Sequence, residues 1–330
     1  MIRNTVSQFD IPSQEERQRF CALEKTPSVH DAAIASLSCM NAVRIGGTSS
    51  RTAALAFPFA VAAWNLERCL FSEESAAKLR RTAAPLVLLS EMDEGMARTA
   101  QKDPTAIVAG ELGMAYAYGV EFFELSLGSE IERSYRSDDF NAKGFHGNAI
   151  MASTALKQPF LLRLPGEAAW FKDSNEQLRI GERCAVGATV ETAAGPFVAV
   201  SVHLESVANG PYRERQMAAL IDAVEAYAPG LPILIGGDFN TGNHSGGNFE
   251  ADTLFAMAAR RGFERHGGPL DQVSTRPSLI TRFPERVMKL DWFLARGLKI
   301  SESHLVSSLN DEGKPLSDHD LLICTIEGFA

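Results

Sequence analysis

Short, continuous apolar runs recur along the chain, and several of them empty abruptly into acids, amides or imidazoles. The sharpest spans residues 232–241, where Ile233, Leu234 and Ile235 run into Gly236, Gly237, Asp238, Phe239, Asn240 and Thr241. An apolar run bounded by turn residues predicts a buried strand over 233–237. Side chains alternate across a strand, so Asp238 and Asn240 project from one face, while the paired glycines permit close backbone approach and an unusual turn.

The same pattern predicts further strands over 59–65, 85–90, 115–125, 147–152, 160–164, 184–191, 197–204, 289–295 and 320–326. Helical period appears between them. Residues 72–84 read as a helix capped by Ser72, 97–112 as a helix interrupted by Pro104, and 251–262 as another. From Pro211, the spacing of Met217, Leu220, Ile221 and Val224 gives an amphipathic helix that Gly230 stops. Strands in this density, alternating with covering helices, predict two packed sheets with helices outside. Residues 128–145 form a polar insert, read as a surface loop, and 1–56 read as an extension ahead of a single domain over 57–330.

Composition narrows the class. With 330 residues, 45% hydrophobic and 22% charged, the chain can bury a large core and is not of disordered type. A formal charge of -9 argues against coating nucleic acid by bulk attraction, although 260–289 carries Arg260, Arg261, Arg265, Arg276, Arg282, Arg286 and Lys289. The five cysteines show no CxxC spacing, so neither a zinc cage nor a disulfide framework is indicated, and a reduced, cytoplasmic setting is expected. No segment has the length and apolarity of a membrane span, and no secretory leader or obligate protein partner is evident.

Polar residues closing the strands are Asn65 and Glu67, Glu91, His203, Asp238 and Asn240, Asp291, and Asp318 with His319. A charge at a buried strand end costs free energy unless it is paired or binds a metal, so this recurrence points to one functional site. The ordered series Trp64-Asn65-Leu66-Glu67, Ser90-Glu91-Met92, Gly147-Asn148-Ala149-Ile150, Ser201-Val202-His203-Leu204, Gly237 to Thr241, Leu290-Asp291-Trp292-Phe293 and Ser317-Asp318-His319 resembles the endonuclease/exonuclease/phosphatase superfamily. That superfamily includes apurinic endonucleases, deoxyribonucleases and neutral sphingomyelinases. The resemblance covers 59–327.

It implies an α+β fold, a four-layer αββα sandwich of two mixed β-sheets with flanking helices, and a phosphoesterase site at one end of the sheets. By position, Glu91 resembles the principal ligand of Mg²⁺, or alternatively Mn²⁺, with Asn65, Asp318 and Glu67 around it; several relatives place Asp where Glu67 stands. Asp238 resembles the residue that orients or deprotonates the attacking water, Asn240 and His203 the contacts to phosphoryl oxygens, and His319 an imidazole paired with Asp291. Asn148 and Arg98 are the candidate substrate contacts. The expected partner is a phosphoester: a nucleic acid, or alternatively a lipid or small metabolite. A catalytically silent binding module on the same fold is the reading from another class.

Overall fold

In the computed structural model, which describes residues 1–172 and 177–330, the chain runs in the following order. β1 (Thr5–Val6), α1 (Gln14–Cys21), α2 (Pro27–Ser36) and β2 (Val43–Gly47) precede β3 (Phe59–Arg68), α3 (Ser72–Arg81), β4 (Leu86–Glu94), α4 (Pro104–Leu112) and β5 (Ala115–Glu124). Next come α5 (Glu130–Arg133), β6 (Phe145–Ala152), β7 (Leu156–Arg163), α6 (Ala169–Lys172), β8 (Arg179–Gly181), β9 (Cys184–Thr192) and β10 (Gly195–His203). The chain closes with α7 (Gly210–Tyr227), β11 (Ile233–Asp238), α8 (Leu254–Arg260), β12 (Glu264–His266), β13 (Asp291–Arg296), β14 (Leu298–Val306) and β15 (Leu321–Phe329).

One sheet has the order β1-β2-β5-β6-β4-β3-β15-β14, with β8 pairing β5, and the other β12-β13-β11-β10-β9-β7. Strand alternation divides their side chains among three cores. Val61, Ala63, Leu86 and Leu88 of the first sheet meet Val186, Ala188, Leu234 and Phe293 of the second. The opposite faces carry Trp64, Val87 and Leu89 against Ala76, Leu79 and Val108 of the helices, and Ile233, Ile235 and Val200 against Met217, Leu220 and Leu254. The arrangement is the expected four-layer αββα sandwich. Strands covered on both faces have no solvent side to mark with polar residues, which is why they read as continuous apolar runs. No helix among the described residues is long and apolar enough to cross a membrane.

Three local expectations change. Ser72 is the first residue of α3 rather than its cap, and Phe71 precedes it without a side-chain cap bond. The helix expected over 97–112 is divided into a 3-10 turn, Ala97–Thr99, and α4, which Asp103 caps with Pro104 in the first turn. Pro104 therefore starts a helix, a position where its missing N–H costs nothing. Finally, residues before 57 enter the sheet itself: β2 pairs antiparallel with β5, and β1 lies parallel to β2.

The two glycines of β11 stand where a neighbouring strand and the facing sheet approach closely. A Cβ on Gly236 would lie 2.5 Å from Phe293 Cδ1 and 2.9 Å from Leu88 Cδ1, and one on Gly237, at φ +142°, only 2.1 Å from the Val202 carbonyl oxygen. Gly237→Ala is expected to cost about 2–4 kcal/mol, from a forbidden backbone region plus overpacking. Urea unfolding followed by circular dichroism measures it; an unchanged midpoint would contradict this account of the strand.

Candidate active site at one end of the two sheets

Register assembles the site. Parallel β10 and β11 set His203 opposite Asp238, and antiparallel β13 sets Asp291 opposite Asp238, so three functional side chains sit on adjacent strands. From the other sheet, parallel β3 and β4 set Asn65 beside Ser90, after which the pairing shifts by a bulge. A second irregularity between β4 and β6 falls at the same place, between Leu89 and Met92. Bulges re-aim side chains. Here they accompany positive φ at Glu67 (44°), Arg68 (76°) and Glu91 (56°), and Asn240 across the site has φ 52°. Non-glycine residues adopt this region at a cost, and these four face one cavity.

A hydrogen bond from Ser201 of β10 to Leu89 of β4 joins the two sheets beside that cavity, and bonds of Trp64 and Ser317 tie β3 to the segment ahead of β15 within one sheet. Ser201 donates to the Leu89 carbonyl at 2.9 Å, Trp64 Nε1 to the His319 carbonyl at 2.8 Å, and Ser317 to the Asn65 carbonyl at 2.6 Å. Asp238 is held on both oxygens: the Asn240 N–H donates to Oδ1 at 2.8 Å and Asn65 Nδ2 to Oδ2 at 3.1 Å. Asn65 also reaches Glu91 Oε1 at 3.3 Å, and its Oδ1 accepts the Glu67 N–H at 3.0 Å. Asn240 spends one Nδ2 proton on the Leu204 carbonyl at 3.0 Å.

His319 places Nδ1 2.8 Å from Asp291 Oδ2, which Ser274 also meets at 2.6 Å. Its Nε2 lies 3.7 Å from Asp238 and 3.9 Å from Asp318. Burial alone would drive this imidazole toward neutrality, but the three carboxylates overrule it and hold its pKa well above the ordinary value. His203 goes the other way: burial and then the Arg183 guanidinium push its pKa well below. Arg183 Nη1 lies 2.8 Å from His203 Nδ1. The same Nη1 lies 3.0 Å from His203 Nε2, so the guanidinium bears on both ring nitrogens. Nε2 lies 3.5 Å from Asp238 and 3.9 Å from Glu91.

Burial raises the pKa of Glu67, Asp318 and Asp238, the last to about 6. Asp318 repels Glu67, whereas Asp291 repels Asp238 and Asp318 less than the His319 charge attracts them, so burial is what raises these two. Oxygen donors whose charge burial opposes fit a hard divalent cation. Ligand atoms of Asp238, Asp291 and His319 fall within 4.8 Å of one another. A protonated His319 committed to Asp291 has no lone pair to give, so the donors suited to a cation are Glu91, Glu67, Asp318 and Asn65. The cavity encloses about 530 Å³, and Glu67, Glu91, Asp238, Asn240, Asp318 and His319 all line it.

A family model described as the Endonuclease/Exonuclease/phosphatase family matches residues 62–319. The chain belongs to that family. Solved structures agree in fold. An endonuclease/exonuclease/phosphatase from Beutenbergia cavernae is 18% identical, with 83% of this chain and 72% of that one covered and a TM-score of 0.58. A family protein from Leptotrichia buccalis is 13% identical, covering 82% and 99%, at TM-score 0.57. The human Nocturnin catalytic domain is 15% identical, covering 87% and 97%, at TM-score 0.56. No curated protein matches the chain. Membership in the Endonuclease/Exonuclease/phosphatase family supports a hydrolase of the phosphoesterase or nuclease type.

Two residues expected to touch substrate do not reach the cavity. Arg98 is buried, donating to Asp93 at 2.8 and 2.9 Å, to Glu124 at 3.0 and 3.1 Å and to Glu132 at 3.1 Å. Asn148 is fully buried and donates to Glu121 and to the Cys184 carbonyl, both at 2.9 Å. Glu121 in turn holds Arg183 at 2.6 Å, so Asn148 acts on His203 at two removes. His146 is buried with Nδ1 2.9 Å from Asp93.

The sequence reading missed Arg68 and Arg183, although it singled out the basic segment 260–289. Arg68 and Arg183 line the cavity, and so do Arg276, Arg282 and Arg286. The first two stand at strand ends, the very criterion that found the acids, but that criterion was applied only to acids, amides and imidazoles. The polar insert also contributes: Ser129 and Glu132 of the capped turn at α5 line the cavity.

Arg98→Met removes one charge from among three buried carboxylates. It is expected to lower stability by about 3–5 kcal/mol, the cost of leaving buried charges unpaired. Chemical denaturation measures the loss, and a variant as stable as the parent would show the cluster to be incidental.

Proposed function

We propose that this protein is a divalent-cation-dependent hydrolase of a phosphoester, acting by in-line attack of a water held at Asp238. The observation that carries the reading is the opposition of two differently tuned groups: a carboxylate fixed by Asn65 and Asn240, and an imidazolium fixed by Asp291. A base with a pKa of about 6 is ionised at neutral pH yet basic enough to accept the proton of an attacking water. The imidazolium of His319 supplies a donor for the phosphoryl oxygens as charge builds, His203 faces the same cavity, and Asn240 retains one Nδ2 proton for the same purpose. Glu91, Asp318, Glu67 and Asn65 would hold the cation, Mg²⁺ or Mn²⁺. When bound, it supplies Lewis-acid stabilisation of the transferring phosphoryl group.

A cavity of about 530 Å³ lies within the range of small-ligand pockets, roughly 300–1,000 Å³, and supports a compact phosphoester as substrate. A second reading, a nuclease acting on a strand end, draws on Arg282 and Arg286 in the cavity wall with Phe283 between them. The remaining basic residues of 260–289 do not support it: Arg261 pairs with Asp222 and Glu225, Arg265 with Glu250, and Lys289 donates to three carbonyls. Activity on DNA that falls steeply with added salt would favour the nuclease reading, since phosphate contacts release counterions. The five thiols, all free, support a reducing compartment.

The test is a phosphoester panel covering monoesters, dinucleotides, single-stranded DNA and phospholipid head groups, with and without Mg²⁺ or Mn²⁺. Asp238→Asn and His319→Gln are each expected to lower kcat by about 10³-fold while circular dichroism stays native. No hydrolysis of any ester would favour the silent module.

The pH profile follows from the two shifts. Activity rises as Asp238 loses its proton, at or below about 6 because a nearby cation can only lower that value. It falls on the alkaline side, above the ordinary histidine range, as His319 loses its charge. An acid limb above neutrality in kcat/KM would contradict Asp238 as the base.

A further inference from the structure

Arg68 stands where the candidate cation ligand is. Its Nη1 pairs with Glu91 Oε2 and its Nε donates to Glu132 Oε1 at 2.8 Å, while Nη2 makes no hydrogen bond among the described residues. The chain is bent to put it there. Glu67, Arg68 and Cys69 are three consecutive non-glycine residues at positive φ (44°, 76° and 57°), a conformation that L side chains disfavour. The Cys69 N–H closes the turn on the Leu66 carbonyl at 2.8 Å. A strand continuing regularly from Asn65 would not carry the guanidinium into the cavity; the bulge does.

The two carboxylates that Arg68 joins differ in how firmly they are held. Glu132 is an anchor. It accepts the Ser129 N–H at 2.7 Å and Arg98 at 3.1 Å, pairs with Gln177, and stays ionised because Arg98 and Arg68 outweigh the penalty of its burial. Among the described residues, Glu91 accepts one hydrogen bond besides that of Arg68, from Asn65 at 3.3 Å, with His203 Nε2 at 3.9 Å, and it opens on the cavity shared with Glu67 and Asp318. Arg68 takes Oε2 and Asn65 Oε1, so a hard divalent cation competes with the guanidinium for that carboxylate. The cation gains further oxygen donors at the same place, whereas Arg68 keeps its second partner when it lets go.

We infer that Arg68 is an internal counter-ion for Glu91, displaced by the divalent cation, and that its guanidinium, still tethered to Glu132, then serves the cavity as a ligand for the phosphoryl anion of the substrate. The inference rests on the cation reading given above. Its consequence is a thermodynamic coupling: cation binding strengthens anion binding through Arg68, and by linkage the anion strengthens cation binding equally. Arg68 competes with the cation when no anion is present and cooperates with it when one is.

Calorimetric titration without turnover tests this, using Mn²⁺ and inorganic phosphate as probes on the full chain, its Arg68→Met and Arg68→Lys variants, and Glu91→Gln. Arg68→Met is expected to bind Mn²⁺ about five- to tenfold more tightly than the parent, the worth of one partly buried ion pair, with Arg68→Lys between them. Phosphate affinity in the parent is expected to rise with Mn²⁺ present by a larger factor than in Arg68→Met. If Glu91→Gln abolishes Mn²⁺ binding while Arg68→Met binds it no more tightly than the parent, the role of Arg68 is overturned and the cation site stands. If neither the parent nor Arg68→Met binds Mn²⁺, both readings fall. A thermal melt of each variant confirms that the titrated protein is folded.

Discussion

Asp238, Asp291 and Asp318 surround one imidazole at the end of a dry sandwich, and keeping that much negative charge there is what the neighbouring structure must support. Burial opposes each charge, so every carboxylate needs a donor, a counter-charge or a cation. Asn65 and the Asn240 N–H serve Asp238, Ser274 serves Asp291, and the imidazolium of His319 is shared. Behind this layer a second network repeats the solution with arginines: Arg183 between Glu121 and His203, and Arg98 among Asp93, Glu124 and Glu132. Removing charge from either layer leaves the other unbalanced, which ties the stability of this end of the fold to its chemistry.

The backbone carries a related burden. Regular strands would place Asn65 and Glu67 on one face of their sheet and Glu91, which follows the Ser90 paired with Asn65, on the other. Bulges in β3 and β4 break that alternation and turn the side chains toward the cavity at the end of the sheets. The positive φ values of Glu67, Arg68 and Glu91 accompany this, and a cross-sheet bond from Ser201 with bonds of Trp64 and Ser317 between neighbouring strand ends keeps the strained ends in place. Rigid packing on both sides of each sheet lets so short a stretch hold its unfavourable conformation.

What was legible in the sequence followed from periodicity and from polar residues placed where apolar runs stop. Both signals are local, so Asp238, Asn240, His203, Glu91 and Asp291 were placed at strand ends, and the layered fold followed from counting strands and covering helices. Arg98 and Asn148 went astray because their partners, Asp93, Glu124 and Glu132 for one and Glu121 for the other, are set by pairings between strands rather than by spacing. The same limit hid the strands before residue 57: β2 contains Val43, Arg44, Ile45, Gly46 and Gly47, too short and glycine-rich to announce a strand, and only β5 makes it one. Arg68 and Arg183 were readable in principle, since both stand at strand ends. A cation at such an end carries the same burial penalty as an acid, and so deserves the same weight.

A protein of net charge -9 that takes an anionic substrate needs a local field opposed to its global one. Cavity arginines supply part of it, yet Arg68 is paired with carboxylates and Arg276 with Asp320, so their charge is largely compensated within the chain. What tips the balance is the pairing rule itself. On the proposed reading, a cation settling beside Glu91 would relieve the acid that otherwise holds Arg68 to itself. A requirement for metal and an affinity for phosphate would then be two readings of one surplus of carboxylate, and an acidic chain would bind an anion because its own acids had been given something better to bind.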